Sequence, residues 1–167
     1  MTSAIPHKSK PLPPGIYCPV ISLFKGTPRQ EIDYDASYKF FTHLIRSGIH
    51  GIVLAGTNAE AVLLSPTERQ ELVRTARRAA VDLGFDDYPV VAGISGQSTN
   101  ESLRLAEDAR EAGADFGLLL PPSYWPKAVT KDVILDFYTE VADSNLLPIV
   151  IYSVSPLSTY DACMNFG

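Results

Sequence analysis

The stretch GIVLAGTNAEAVLLSPTE (51–68) reads as one complete structural sentence. It opens with a short apolar run, Gly51 to Gly56, without polar alternation, as expected of a strand buried on both faces. It then breaks into small and polar residues, Thr57-Asn58-Ala59-Glu60. It closes on Ser65-Pro66-Thr67-Glu68, a capping box with proline at the first helical position. Behind that box, Leu72, Ala76, Ala79, Ala80 and Leu83 keep helical spacing up to Gly84.

The same unit recurs on both sides. GIYCPVISLF (15–24) reads as strand one, followed by a helix from Ala36 to Ser47 with an apolar stripe at Phe40, Phe41, Leu44 and Ile45 and a terminating Gly48. YPVVAG (88–93) is strand three, and Ser98-Thr99-Asn100-Glu101 is a second capping box for a helix to about Ala112. FGLLL (116–120) is strand four. Thr130 caps a helix carrying Val133, Ile134, Phe137, Tyr138 and Val141, and LPIVIY (147–152) is strand five. The strand centres lie about thirty residues apart, the length of a strand–helix repeat. Short strands alternating with amphipathic helices predict an α/β fold with a parallel sheet.

Two architectures share that pattern, an open doubly wound sheet and a (β/α) barrel. Strand one runs into Phe24-Lys25-Gly26-Thr27-Pro28, which is not a dinucleotide-binding glycine motif, and no acidic cluster ends it. Polar, glycine-rich and aromatic residues gather instead at the carboxyl ends of strands two to five: Gly56-Thr57-Asn58, Gly93, Tyr124 and Tyr152. The expected fold class is therefore an incomplete (β/α)8 TIM barrel, strands one to five with four helices, because a whole barrel takes about 250 residues and eight strands. Val53, Val91, Leu119 and Val150 are expected to face its interior.

The expected organisation is a disordered Pro-rich tail over 1–14, a partial barrel over 15–154 and a divergent tail over 155–167. The 167 residues carry 14 Lys and Arg against 19 Asp and Glu, a net charge of −5. That balance, without a basic block, disfavours nucleic-acid binding. Arg74, Arg77 and Arg78 alternate with Glu68 and Glu71 and read as a solvated helix face. No apolar run reaches the roughly 18 residues of a membrane span, and the first residues lack a signal-peptide core. Cys18 and Cys163 have no metal-ligand spacing and read as thiols of a reducing compartment. The expected location is cytoplasmic, with the mitochondrion as the alternative.

Read from the residues alone, Gly56-Thr57-Asn58 is either an anion-binding turn with a hydroxyl and an amide or a plain turn capped by Thr57. Tyr152, ending strand five, reads as packing or as a phenol at the barrel mouth. Pro121-Pro122-Ser123-Tyr124-Trp125-Pro126 reads as a lid, an interface or a stiff connection.

Together these segments resemble the dihydrodipicolinate synthase / N-acetylneuraminate lyase family. Gly56-Thr57-Asn58-Ala59-Glu60 is similar to its G-[ST]-[TN]-G-E loop. Pro122-Ser123-Tyr124 is similar to its P-[YF]-Y loop, Ile151-Tyr152-Ser153-Val154 to its strand-five Y-N-V-P segment, and Gly15-Ile16-Tyr17-Cys18-Pro19-Val20 to the start of its first strand. The resemblance implies a class I aldolase or lyase, a homo-oligomer (a tetramer in the family), acting on pyruvate or another small 2-oxo acid through a lysine imine. It implies no metal or organic cofactor, no nucleic acid and no membrane as partners. Tyr152, Thr57 and Tyr124 would be catalytic: Tyr152 the acid/base phenol, Thr57 the hydroxyl of its proton relay, Tyr124 the contribution to a neighbouring subunit's relay. Gly56, Thr57 and Asn58 would bind the substrate carboxylate.

There are departures. The family's imine lysine lies on strand six, beyond Tyr152, whereas the six lysines here are Lys8, Lys10, Lys25, Lys39, Lys127 and Lys131, and none ends a strand in this reading. Ala59 replaces a glycine and Ser123 an aromatic residue. The arginine that several members carry soon after the tyrosine is missing. Asn58 leans toward 4-hydroxy-2-oxoglutarate or sugar-acid aldolases over dihydrodipicolinate synthesis. The alternative expectation is a truncated, inactive half-barrel or pseudo-enzyme.

Overall fold

A computed structural model describes residues 11–125 and 129–152 of the chain. The elements run β1 (Tyr17–Pro19), α1 (Tyr34–Arg46), β2 (Gly51–Leu54), α2 (Pro66–Asp82), β3 (Val90–Gly93), α3 (Thr99–Ala112), β4 (Phe116–Leu119), α4 (Lys131–Asp143) and β5 (Ile149–Ile151). Two 3-10 turns, Thr57–Ala59 and Ala61–Leu63, lie between β2 and α2. Of the two expected tails, residues 1–10 of the Pro-rich tail over 1–14 and all of 155–167 lie outside the described residues. Within the Pro-rich segment, Leu12 packs on the sheet and Pro13 O accepts the Tyr17 hydroxyl at 2.8 Å.

The strands form one parallel sheet in the order β1-β2-β3-β4-β5. Ile52, Leu54, Val90, Ala92, Ile94 and Leu119 share a core with Phe41 and Ile45 of α1, Leu72 and Ala76 of α2, Leu105 and Ala109 of α3, and Phe137 and Val141 of α4. A second cluster, Val53, Val91, Phe116 and Leu118, receives no helix residue. All four helices therefore cover one face. A doubly wound sheet would carry helices on both faces, so the architecture is that of a barrel segment. Ala76, Ala79 and Ala80 have no exposed surface; their small side chains let α2 sit close to the sheet.

The register corrects one inward assignment. Leu118 pairs with Val150, and neighbours across a sheet point to the same side. Val150 packs on the inner cluster. Leu118 is therefore the inward residue, and Leu119 belongs to the helix-side core.

The helix starts show the local code at work. Ser65 makes the full reciprocal box with Glu68. Ser98 makes half of one: its side chain accepts from Glu101 N, while the Glu101 carboxylate takes the N–H of Gln97. Helix α1 begins two residues earlier than expected because Asp33 caps it through Ala36 N. Strand β1 is shorter than expected. After Val20 the chain leaves the sheet and folds back on itself, with Lys25 N bonded to Glu31 O at 2.8 Å and Asp33 N to Leu23 O at 2.7 Å.

Arg77 is not part of a solvated face. Its guanidinium donates to Gly113 O (2.8 and 3.1 Å), Tyr88 O (2.8 Å) and Asp86 O (3.2 Å), and pairs with Asp115 Oδ2. Asp115 Oδ2 also accepts from Val90 N at 2.9 Å. One side chain of α2 thus ties the entry of β3 to the entry of β4, at the end of the sheet away from the candidate site. Arg77→Leu strands several carbonyl acceptors. It is expected to cost about 2–3 kcal/mol in urea unfolding, whereas Arg74→Leu, whose ion pair with Glu71 is half exposed, is expected to change little.

Among the described residues no helix is long and apolar enough to cross a membrane.

Candidate active site at the carboxyl ends of the strands

The site begins with an unusual turn. Ala55, directly after β2, has φ +49° and Glu60 φ +55°, a left-handed conformation that costs a non-glycine residue roughly 1–2 kcal/mol. At Ala55 the turn drives the carbonyl oxygen against β3. A Cβ placed on Gly93 would lie 1.9 Å from Ala55 O and 2.7 Å from Ala55 C. Only glycine fits there, and its presence is what lets β2 bend sharply into the turn Thr57–Ala59.

Three side chains from different elements hold that turn. Ser22 Oγ donates to Ala59 O at 2.7 Å. Asn58 Nδ2 donates to Pro19 O at 3.0 Å, linking the turn to the end of β1. Arg69, from the first half of α2, donates to Ala61 O at 2.6 Å and to Gly93 O at 3.5 Å. Burial pushes the Arg69 pKa down, against an opposing pull from the Glu101 carboxylate. A group that begins so basic stays charged near neutrality, so the turn rests on a fixed positive charge.

Of the residues expected to act, Gly56 is buried and forms the N-terminal boundary of the turn with no side chain capping it. Thr57 is exposed, and the 3-10 turn that it begins has no side-chain cap. The N–H groups of Thr57 and Asn58 have no backbone partner among the described residues, and the Asn58 amide gives one of its two side-chain N–H groups to Pro19 O. Tyr152 follows β5, with its N–H bonded to Leu119 O at 3.1 Å. It lies two residues beyond the inward-facing Val150, and so on the same side of the strand. Tyr124 lies after β4, 72% exposed, with its ring edge-to-face on Trp125 at 5.1 Å.

The fold thus collects all five residues at one end of one sheet. It does not join the three hydroxyls: no hydrogen bond links Thr57, Tyr124 and Tyr152 among the described residues. The described lysines sit elsewhere, Lys25 before α1, Lys39 on α1 and Lys131 at the start of α4, all exposed. Sequence reasoning missed Ala55, Arg69 and Ser22. An arginine one turn into a helix behind a loop of small and polar residues was the available signal for Arg69. Ala55 acts through its backbone conformation and Ser22 through a bond to a distant main-chain carbonyl, neither of which residue type discloses.

Residues 13–164 match the Dihydrodipicolinate synthetase family. A Coccidioides immitis protein named provisionally as a mitochondrial 4-hydroxy-2-oxoglutarate aldolase is 41% identical over 140 residues, 84% of this chain and 43% of that protein. An Aspergillus niger L-threo-3-deoxy-hexylosonate aldolase is 37% identical over 144 residues, 86% of this chain and 43% of that protein. Among solved structures, YagE from E. coli K12, a member of the dihydrodipicolinic acid synthase family in complex with pyruvate, superposes with a TM-score of 0.75 at 28% identity, covering 86% of this chain and 46% of YagE. The chain spans less than half the length of these proteins. A single parallel sheet in sequential order, helices on one face only and a strained, polar rim at the strand ends agree with that match, and the chain belongs to the dihydrodipicolinate synthetase family.

Proposed function

We propose that this chain is the part of a class I aldolase or lyase that binds the carboxylate of pyruvate or a related 2-oxo acid and supplies the proton relay beside it. The observation that carries the reading is the rim: a turn with two N–H groups lacking backbone partners, after β2, on the same sheet end as a tyrosine that ends β5. In this reading the N–H groups of Thr57 and Asn58 hold the substrate carboxylate. The Asn58 side chain, which donates one N–H to Pro19 O, joins them with the second N–H of its amide. Tyr152 moves a proton to and from the reacting carbon, with Thr57 and Tyr124 completing the relay. A phenol is a poor base near neutral pH and works only when hydrogen-bonded partners share its proton. No metal or organic cofactor is required, since an amine imine is itself the electron sink.

The names of the fungal relatives favour 4-hydroxy-2-oxoglutarate or a sugar-derived 2-oxo acid. The reading places the protein in the cytoplasm, with the mitochondrion, named for the Coccidioides protein, as the alternative, and as one subunit of a homo-oligomer.

The imine amine is not among these residues in this reading, and the 167-residue polypeptide alone is inactive. Borohydride reduction with pyruvate, followed by mass spectrometry, tests both parts. The 167-residue polypeptide is expected to give no stoichiometric pyruvyl adduct. An adduct on Lys127 or Lys131 overturns this. A longer protein containing these residues is expected to trap pyruvate on one lysine beyond Tyr152. If it traps none, the Schiff-base reading fails.

A further inference from the structure

The loop between β3 and α3 holds the loop of the following unit by its backbone. Ser95 Oγ accepts the N–H of Leu120 at 2.8 Å and donates to Leu118 O at 3.4 Å. Gln97 Oε1 accepts two N–H groups at once, those of Ser123 and Tyr124, each at 3.0 Å. The base of Gln97 is itself fixed: its N–H donates to Glu101 Oε2 at 2.7 Å, and the N–H of Gly96 donates to the buried Ser102 Oγ at 3.0 Å. An amide oxygen has two lone pairs and can satisfy both donors without bringing a charge.

We propose that Gln97 is the positioning residue of Tyr124. The proposal rests on the reading of Tyr124 as part of a proton relay and adds what places it there. Pro121 and Pro122 limit φ on the approach to Tyr124 but do not decide where the following residues go. The two bonds to Gln97 do. They fix the backbone of Ser123 and Tyr124 over the rim while Tyr124 and Trp125 stay 72% and 70% exposed. Without them, the loop that carries the two rings loses its fixed course over the rim, and Trp125 gives up its ordered contact with Tyr124. Gln97 is exposed, so its replacement is not expected to unfold the chain. Its reach matters: asparagine, one methylene shorter, cannot span to both donors, whereas glutamate keeps an acceptor oxygen at the same distance.

Trp125 is the only tryptophan of the 167 residues and sits edge-on to Tyr124. The fluorine resonance of the 5-fluorotryptophan-labelled chain therefore reports the loop directly. Gln97→Leu and Gln97→Asn are expected to shift that resonance toward its denatured position and to raise acrylamide quenching of the indole, with an unchanged melting temperature. Gln97→Glu is expected to preserve the native signal. In a catalytically competent barrel, the Leu and Asn variants are expected to lose about ten- to a hundred-fold in kcat, the scale of a misplaced catalytic group, with KM within twofold and recovery in Gln97→Glu. An unchanged resonance in both loosened variants overturns the claim that Gln97 holds the loop. A changed resonance with unchanged kcat overturns the positioning role. Tyr124→Phe separates the two levels. If it leaves kcat unchanged, the relay role of Tyr124 fails, and the resonance still decides whether Gln97 holds the loop.

Discussion

Tyr152→Phe is expected to lower turnover by about two to four powers of ten in a catalytically competent barrel, the range for loss of a general acid/base, while leaving the fold intact. The structural half of that expectation rests on what the residue contributes. Its bond to the sheet, N–H to Leu119 O, belongs to the backbone and survives the change. The residue is 41% exposed, and phenylalanine keeps the ring and deletes only the hydroxyl. The chemical half rests on the absence of a substitute. Thr57 cannot take over as base, because an aliphatic hydroxyl is far less acidic than a phenol and can only pass a proton on. Thr57→Val should therefore rank with Tyr152→Phe, and the double variant should cost little more than either, since both break one relay. Steady-state kinetics with pyruvate and an aldehyde acceptor, alongside thermal melting, checks this. Turnover near the unmodified value in Tyr152→Phe would overturn the assignment.

Gly93→Ala is expected to be among the most damaging single-methyl additions in the chain. The new Cβ would lie 1.9 Å from Ala55 O, and that oxygen is backbone, not the movable end of a side chain. Ala55 cannot simply rotate away. It is already in a left-handed conformation, and its neighbour Leu54 is buried and paired with Ala92. Relief requires β2 and β3 to part at their upper ends, which also breaks the reach of Arg69 to Gly93 O. A loss of about 3–5 kcal/mol follows, at the upper end of single-substitution effects. Gly26→Ala is the control, since nothing lies within 4 Å of its added carbon. Chemical denaturation of both variants decides. Equal stability would mean that the contact between the two strand ends relaxes freely.

The regular architecture was legible because it is written in local chemistry. Ser65-Pro66-Thr67-Glu68 announces a helix start, and both halves of its box form; Gly48, Gly84 and Gly113 end their helices with positive φ. Barrel rather than doubly wound order was legible by elimination at Phe24 to Pro28. What was not legible depends on partners distant in sequence. Leu119 and Leu118 are equally apolar, and only pairing with Val150 decides which one faces inward. Arg77 looked like its neighbours Arg74 and Arg78 because a helical wheel does not show that Gly113 O and Tyr88 O lie within its reach. At the site, Thr57, Asn58, Tyr124 and Tyr152 stood out by type and place. The parts that hold them, Ala55, Arg69 and Gln97, work through main-chain atoms, which carry no residue signature.

The sequential order of the sheet bears on how the protein is made. Among the described residues every strand pairs only with its neighbours in sequence, and the helices make their contacts in the same succession, α1 with α2, α2 with α3, α3 with α4. None of the pairings between these five strands waits for a distant segment to be inserted. Chains fold amino-terminal part first as they leave the ribosome, at about 5–20 residues per second. Here each newly emerged strand and helix finds its docking surface already present, so this region can assemble in the direction of translation.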